Sequence, residues 1–270
     1  MQPFDFSGKT VFVAGGTSGI NLGIAEAFAK AGARVAVMSR SAEKVAAAVA
    51  ALQLHGGEAR GFVADVRHYD AVDAALAAAE AAFGPIDVLV SGAAGNFPAS
   101  ALSMSANAFK TVVDIDLMGT FHVLKLAFPR LRKPGACIIN VSAPQAAIPM
   151  PLQMHVCAAK SGVDMITRVS ALEWASAGVR VNSIVPGPIA DTEGMARLAP
   201  TPDAARQVAQ SIPLGRYGRK QEIADACLWL ASPMASYVTG VVLPIDGGWS
   251  LGGASLSMTG LMQYSSNPAT

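Results

Sequence analysis

Residues 10–32 read TVFVAGGTSGINLGIAEAFAKAG, and this stretch decides the fold. The run Thr10–Ala14 predicts a buried strand, and a glycine-rich turn follows it directly. From Ile20 to Ala31 apolar residues recur at helical spacing, and Gly32 closes the helix. A strand that passes through a glycine turn into a helix is typical of the first half of a βαβ unit, so the stretch predicts an α/β fold.

The same alternation continues along the chain, with alanine-rich helical segments such as 42–54 between the strands. Because the apolar runs are continuous, they predict a parallel sheet whose two faces are covered by helices. We expect one doubly wound domain over residues 1–270, with a lid over the site at about 186–213, where Pro, Gly and Met break the pattern. The expected strands are Thr10–Ala14, Arg34–Met38, Gly61–Ala64, Asp87–Val90, Ala136–Val141, Arg180–Ile184 and Val241–Ile245.

Composition favours a small-molecule partner. The chain has 20 Lys and Arg against 19 Asp and Glu, so it lacks the charge excess that attracts nucleic acid or an anionic membrane. Three cysteines without a CxxC pair predict neither a disulfide framework nor a zinc site. No signal peptide, long apolar run or C-terminal targeting signal is recognisable, and we therefore expect a cytoplasmic protein without a metal.

The first glycine turn fits a phosphate-bearing ligand. Its glycines allow a tight turn, and the unpaired N–H groups at the helix N-terminus favour negative charge. Asn21 stands where the usual spacing has a third glycine, and its side chain needs room beside the ligand. The turn predicts a dinucleotide site that includes Gly15, Thr17, Ser18, Gly19 and Ile20.

The end of the second strand indicates which dinucleotide binds. An NAD site presents Asp or Glu there to the ribose 2′-hydroxyl, whereas this chain has Ser39-Arg40 and no acid. A guanidinium can donate two hydrogen bonds to a 2′-phosphate, although a solvated loop arginine is the alternative. The missing acid favours NADP(H), with Ser39 and Arg40 at the 2′-phosphate.

These elements resemble the short-chain dehydrogenase/reductase family from Gly8 to about Gly248. Further matches are Asp65-Val66, Ala93-Ala94-Gly95, Asn182 with Pro186-Gly187, and Asp246-Gly247-Gly248. The resemblance implies a seven-stranded parallel sheet of order 3-2-1-4-5-6-7. It also implies that Asp65 and Val66 bracket the adenine, that Ala93 and Ala94 line the cofactor, and that Pro186, Gly187, Ile189 and Thr192 surround the nicotinamide.

The catalytic residues depart from the family pattern. Most members use an Asn, Ser, Tyr and Lys set, in which the tyrosine four residues before the lysine donates a proton. Here Lys160 is present, but Val156 stands at the tyrosine position, Ala143 at the serine position and Asp116 at the asparagine position. None of the four tyrosines precedes a lysine by four residues, so three of the four positions have changed.

One branch of the family, the peroxisomal-type 2,4-dienoyl-CoA reductases, resembles the chain at these unusual positions. The likeness includes Ala93-Ala94-Gly95-Asn96-Phe97, Asp114-Ile115-Asp116, and Leu152-Gln153 with His155 and Lys160. The chain departs from the branch at Asn21, at Ser91-Gly92 in place of an Asn-led pair, and in lacking a peroxisomal tail.

The resemblance implies reduction of a 2,4-dienoyl-CoA by NADPH to a 3-enoyl-CoA, in which the oxyanion must be stabilised and a proton arrives later at carbon. Lys160 would orient the nicotinamide ribose, and Asp116 would pair with it and position the protonating water. Solvation on a helix surface is the alternative for Asp116. Acyl-CoA contacts are expected at Asn96, Phe97, Ser142 and His155, with ordinary core or loop packing as the alternative.

Two other functions stay open at this point. One is a 3-oxoacyl thioester ketoreductase with His155 as its proton donor, and the other is a catalytically silent NADP(H)-binding sensor or scaffold. The family likeness also implies a homotetramer assembled through helices at about 105–130 and 158–175, although the apolar faces of these helices suit intramolecular packing equally.

Overall fold

The computed structural model describes residues 4–252, whose strands form one seven-stranded sheet. The order is β3-β2-β1-β4-β5-β6-β7, and every neighbouring pair is parallel. Both the doubly wound fold and the strand order are therefore confirmed, while the outer ends of the expected domain 1–270 lie outside the described residues. The strands are β1 (Thr10–Ala14), β2 (Arg34–Ser39), β3 (Ala59–Val63), β4 (Val88–Ser91), β5 (Cys137–Val141), β6 (Arg180–Pro186) and β7 (Val242–Ile245).

Helices cover both faces of this sheet. In β1, Val11 and Val13 face one core while Phe12 and Ala14 face the other, which explains why the strand is apolar throughout. Helices α1, α2 and α9 supply the first core, and α3, α5 and α6 the second. The helices are α1 (Gly19–Lys30), α2 (Ala42–Gln53), α3 (Tyr69–Phe83), α4 (Ala106–Val112), α5 (Gly119–Ala127), α6 (Met154–Trp174), α7 (Glu193–Leu198), α8 (Pro202–Ser211) and α9 (Lys220–Ala231).

Two segments differ from their predicted form. The irregular segment 186–213 contains α7 and α8, because Thr192 and Thr201 accept hydrogen bonds from backbone N–H groups in the first turns of these helices. The helix expected near 105–130 changes from α4 to a π-helical segment, Val113–Met118, before α5 begins. π-helical segments inside α-helices are frequent at functional sites, and this one carries Asp116.

The strand order reverses between β1 and β4, and this position determines where a ligand can bind. In a doubly wound sheet the crevice lies outside the carboxyl ends of the strands at that reversal. The turns after β1 and β4 meet there, and the segments after β2 and β3 extend the crevice to one side. Within residues 4–252, no helix is both long enough and apolar enough to cross a membrane.

Candidate active site

A groove of about 700 Å³ lies at this edge of the sheet. The close approach of two turns shapes it: Gly15 has φ +77°, and a Cβ there would lie 2.8 Å from the backbone of Ala93, so only glycine fits. The structure brings together nine of the predicted cofactor residues along the groove, namely Gly15, Thr17, Ser18, Ser39, Arg40, Asp65, Val66, Ala93 and Ala94. Gly19 and Ile20 form the first turn of α1 beside it.

The phosphate end of the groove has the chemistry that a dinucleotide requires. The first turn of α1 contains no acidic residue, and the side chain of Ser18, which precedes the helix, makes no capping hydrogen bond. The N–H groups and the Ser18 hydroxyl are therefore available to an anion. These features and the tight approach at Gly15 fit a nicotinamide dinucleotide.

Lys44 is a basic residue of the groove that the sequence analysis missed. It lines the groove together with Ser39, Arg40 and Ser41, and Ser41 accepts a hydrogen bond from the Lys44 backbone N–H at the start of α2. The helix therefore places Lys44 on the Arg40 side of the groove. A basic residue one turn into the helix after the second strand was the available sequence signal.

Asp65 is held in place by its neighbour. Arg67 donates from Nη2 to Asp65 Oδ2 at 2.6 Å and from Nε to both oxygens at 3.1 Å. These hydrogen bonds lower the pKa of Asp65. The carboxylate stays ionised and rigid beside Val66, at the end of the groove where the adenine is expected.

Asp116 and Lys160 form the centre of the candidate site. Their side chains are 1% and 6% exposed, and Asp116 Oδ2 lies 3.3 Å from Lys160 Nζ. Asp116 Oδ1 accepts a hydrogen bond from the Gly95 N–H at 2.7 Å, and Lys160 donates to the Val141 carbonyl at 3.0 Å. The alternative of a solvated Asp116 on a helix surface is therefore wrong, because the π-helical segment directs the carboxylate inward.

Several polar atoms around this pair have no hydrogen-bond partner. Asp116 Oδ2 accepts no hydrogen bond despite its proximity to Lys160, and the Ser142 hydroxyl and both ring nitrogens of His155 are also unpartnered. All three side chains are buried. Because an unpaired buried polar group is costly, such a concentration is typical of a site that awaits a ligand or ordered water.

Val156 occupies the expected tyrosine position and is 3% exposed. It packs with Val112 and Ala159, and Phe97 and Leu117 lie against this small apolar cluster. A hydrocarbon in this position cannot donate a proton. Any proton transfer at this centre must therefore use another group or water.

Asp164 is a second buried carboxyl group that the sequence analysis missed. It lies one helical turn after Lys160 on α6, is 6% exposed, and lies 3.5 Å from the Ser183 hydroxyl. Burial raises its pKa, although the nearby Ser142 hydroxyl and the charges of Arg168 and Lys160 act against the rise. Its spacing of four residues from Lys160, on one helical face, could have identified it.

Two of the residues expected to contact substrate lie at the apolar cluster: Phe97 packs against it, and His155 directly precedes Val156 in α6. Asn96 and Phe97 line the groove, while His155 is fully buried with its ring centroid 4.5 Å from that of Phe97. Burial lowers the pKa of His155, which favours the neutral imidazole. The buried Gln153 fixes the Asn96 loop, because its Oε1 accepts from Gln145 at 2.9 Å and from Asn96 at 3.4 Å.

The residues expected around the nicotinamide follow β6 rather than lining the same groove. Pro186 ends the strand, Gly187 packs against Asp246, and Ile189 is buried. Thr192 donates to the Ile189 carbonyl and caps α7. Residues 4–252 contain no cluster of His, Cys, Asp or Glu suited to a metal ion.

Comparison with known proteins agrees with this geometry. Residues 14–250 match the family model described as Enoyl-(Acyl carrier protein) reductase. The chain is 44% identical over 242 residues to the peroxisomal 2,4-dienoyl-CoA reductase [(3E)-enoyl-CoA-producing] of Rattus norvegicus, with 89% of this chain and 83% of the relative covered. The Arabidopsis thaliana protein of the same name is 39% identical over 257 residues, with 92% and 86% covered.

Solved structures show the same likeness. Levodione reductase superposes with a TM-score of 0.87 at 33% identity, over 91% of this chain and 99% of that one. A short-chain dehydrogenase/reductase from Serratia marcescens BCRC 10948 gives a TM-score of 0.84 at 30% identity over the same shares. The chain therefore belongs to the short-chain dehydrogenase/reductase family of oxidoreductases, which use a nicotinamide cofactor.

Proposed function

We propose that this chain reduces a 2,4-dienoyl-CoA thioester with NADPH and yields a 3-enoyl-CoA. The observation that carries the proposal is the centre itself, where Val156 replaces the proton-donating tyrosine and a buried Asp116–Lys160 pair stands beside it. Relatives named as 2,4-dienoyl-CoA reductases, at 44% and 39% identity, support the same reaction class.

The chemistry of a conjugated thioester explains how a site without a phenol can work. A nicotinamide held in the groove would supply hydride to the distal carbon of the diene, which would place negative charge on the thioester oxygen. Lys160 orients the nicotinamide ribose and provides positive charge near that oxygen. Asp116 would hold a water through its unpartnered Oδ2; this water would give a proton to the α-carbon in a later step, and the hydroxide left behind would take a proton from solvent.

We assign the acyl-CoA contacts to four residues around the pair. Asn96 and Phe97 stand at the groove, where Phe97 packs on the acyl chain, and Ser142 and His155 offer hydrogen-bonding groups that lack partners in the protein. Segment 186–213 acts as the lid: Arg197 in α7 donates to the Asn96 carbonyl at 3.5 Å. The lid thus closes over the end of the groove where substrate enters.

A side-by-side assay tests the reaction. Purified protein should oxidise NADPH with 2,4-hexadienoyl-CoA and not with acetoacetyl-CoA, and product analysis should identify a 3-enoyl-CoA. Turnover of acetoacetyl-CoA alone would favour the ketoreductase. NADPH binding without turnover of either thioester would favour the silent sensor or scaffold.

We assign NADPH rather than NADH to the groove because Arg40 and Lys44 both line it near the end of β2. A 2′-phosphate placed between two cations gains charge-assisted hydrogen bonds that a hydroxyl cannot make. We expect Arg40→Ala with Lys44→Ala to lower the preference for NADPH over NADH by about 100-fold, or roughly tenfold for each cation removed. Unchanged preference would contradict the assignment.

The proposed homotetramer is supported by apolar side chains exposed on α5, α6 and the segment before α5. They are Met118, Phe121, Met165, Val169 and Leu172, the last 82% exposed. Exposed apolar side chains of this size on elements that contact one another favour a protein interface. Light scattering should give a tetramer for the wild type and smaller species for Phe121→Glu with Leu172→Glu.

The cytoplasmic location stays a prediction, since "peroxisomal" is said of the relatives, and microscopy of the tagged chain tests it.

A further inference from the structure

Two departures from the family pattern, Asn21 and Gly92, meet each other in space. They are 71 residues apart in the chain, yet Asn21 Nδ2 donates to the Gly92 carbonyl at 2.7 Å and to the Gly15 carbonyl at 3.4 Å. Asn21 lies in the first turn of α1, and Gly92 follows β4. One side chain therefore joins the phosphate turn, the helix that begins after it and the turn of the neighbouring strand.

Gly92 is required by space rather than by backbone conformation. Its φ lies outside the left-handed region, so other residues could adopt this backbone. A Cβ at position 92, however, would lie 2.5 Å from Asn21 Nδ2 and 2.6 Å from Asn21 Cγ. Real side chains do not approach so closely, so a residue with a Cβ at position 92 would displace the Asn21 side chain from its two hydrogen bonds.

We propose that Asn21 and Gly92 form a matched pair that sets the separation of the two cofactor-binding turns. Where the family pattern has a third glycine in the first turn, this chain has Asn21, and where it has an Asn-led pair after β4, this chain has Ser91-Gly92. The pair is a positioning device: it holds Gly15 and Ala93, which line the groove, at the distance that the cofactor requires.

A double-mutant cycle on the full-length chain tests the pair, with NADPH and NADH affinity measured by fluorescence titration. We expect Gly92→Ala to weaken NADPH binding about tenfold, since the added methyl group has no room against the Asn21 side chain. Asn21→Gly should weaken it about threefold through loss of the hydrogen bonds. The double variant should match Asn21→Gly alone, because the methyl group then has room.

If the loss of NADPH affinity in the double variant equals the product of the two single losses, the two residues act independently and the proposal is overturned. If Gly92→Ala fails to fold, the double variant decides: a folded protein with the affinity of Asn21→Gly supports the pair, and an unfolded one overturns it. Asn21→Leu keeps the bulk but not the donor, and wild-type affinity in it would overturn the role of the hydrogen bonds.

Asn107→Gly is the matched control, because Asn107 is exposed in the first turn of α4. This variant should bind NADPH with wild-type affinity. A threefold loss of affinity in it would show that the loss in Asn21→Gly does not arise from the contact with Gly92. The inference rests on nicotinamide cofactor binding and not on the dienoyl substrate. Because the titration contains no thioester, failure of the proposed reaction and failure of the pair give different results.

Discussion

Asp87 and Asp116 are both buried carboxylates, at opposite ends of the sheet, and their partners differ. Asp87, just before β4, accepts from Thr10 N–H at 2.9 Å, Lys9 at 3.2 Å and Arg132 at 2.8 Å. Asp116, near the carboxyl end, has one backbone donor and an oxygen that accepts no hydrogen bond. At the amino end of the sheet the buried carboxylate of Asp87 is fully paired, whereas at the carboxyl end an oxygen of Asp116 can still accept a hydrogen bond from a ligand.

This difference separates a carboxylate that holds the fold from one suited to chemistry. A buried charge with complete partners contributes to the native structure, and its removal leaves its cations unpaired. A buried charge with a free lone pair can hold water or substrate. Burial alone therefore does not distinguish the two residues, while the inventory of their partners does.

The largest effect should come from Asp116→Asn. The amide can keep the hydrogen bond from Gly95 but loses the charge opposite Lys160, so we expect kcat for dienoyl-CoA reduction to fall at least ~100-fold. The melting temperature should fall as well, because Lys160 keeps a buried charge without its partner, so kcat is measured on the folded fraction. Asp114→Asn, on the same π-helical segment but paired on the surface with Lys110, is the control and should keep its activity. An equal loss in both variants would remove Asp116 from the catalytic centre.

Asp87→Asn should lower stability without lowering kcat. The variant loses the charge that Lys9 and Arg132 share, and we expect the free energy of unfolding to fall by about 2 kcal/mol, discounted because both cations are partly exposed. The kcat of the folded fraction should stay at the wild-type value. Urea denaturation with parallel kinetics checks this, and Asp225→Asn, exposed on α9, is the control. A loss of kcat at unchanged stability would erase the contrast with Asp116.

The sequence predicted the parts of the fold that depend on local pattern. Apolar runs such as Thr10–Ala14 are recognisable because every residue of the strand is buried, and the glycine turn after it marks the helix start. The π-helical segment that carries Asp116 was not predictable. It occurs where Gly119 packs closely on Val66, and that contact joins distant parts of the chain.

The candidate site was predicted only as far as residue type allows. Arg40 was predicted because the expected acid is missing at the end of the second strand, whereas Asp116 and Lys160 were predicted because they stand at positions of the family's catalytic set. The Asn21–Gly92 contact was not found, since two separate departures gave no sign that they touch. Asp164 was missed because a charged residue in a helix usually faces solvent, and only packing shows that this one does not.

His155→Leu should lower activity less than Asp116→Asn does. The variant removes two unpartnered ring nitrogens, so stability at neutral pH should not fall, while kcat/KM should fall about tenfold if the imidazole contacts the thioester. Burial lowers the pKa of His155, so its native form is neutral and the wild type should lose stability as pH falls below about 6.5. The variant should lack this loss. Full activity in His155→Leu would identify a core residue. His55→Gln is the control, because His55 follows the end of α2 and does not line the groove.

The smallest effect should come from Asp164→Asn, and it concerns how stability depends on pH. This dependence distinguishes Asp164 from Asp87 and Asp116. Because burial raises the pKa of Asp164, its native form binds a proton more tightly than the unfolded form. The stability that this contributes is complete below the ordinary value of 3.8 and is lost as pH rises through the raised pKa. In urea denaturation from pH 4 to pH 8, the free energy of unfolding of the variant should therefore increase relative to that of the wild type as pH rises. Glu173→Gln, exposed on the same helix, should follow the wild type throughout. Parallel curves for Asp164→Asn and the wild type would mean that Ser142, Ser183 and Lys160 stabilise the ionised carboxylate fully, as the cations around Asp87 do.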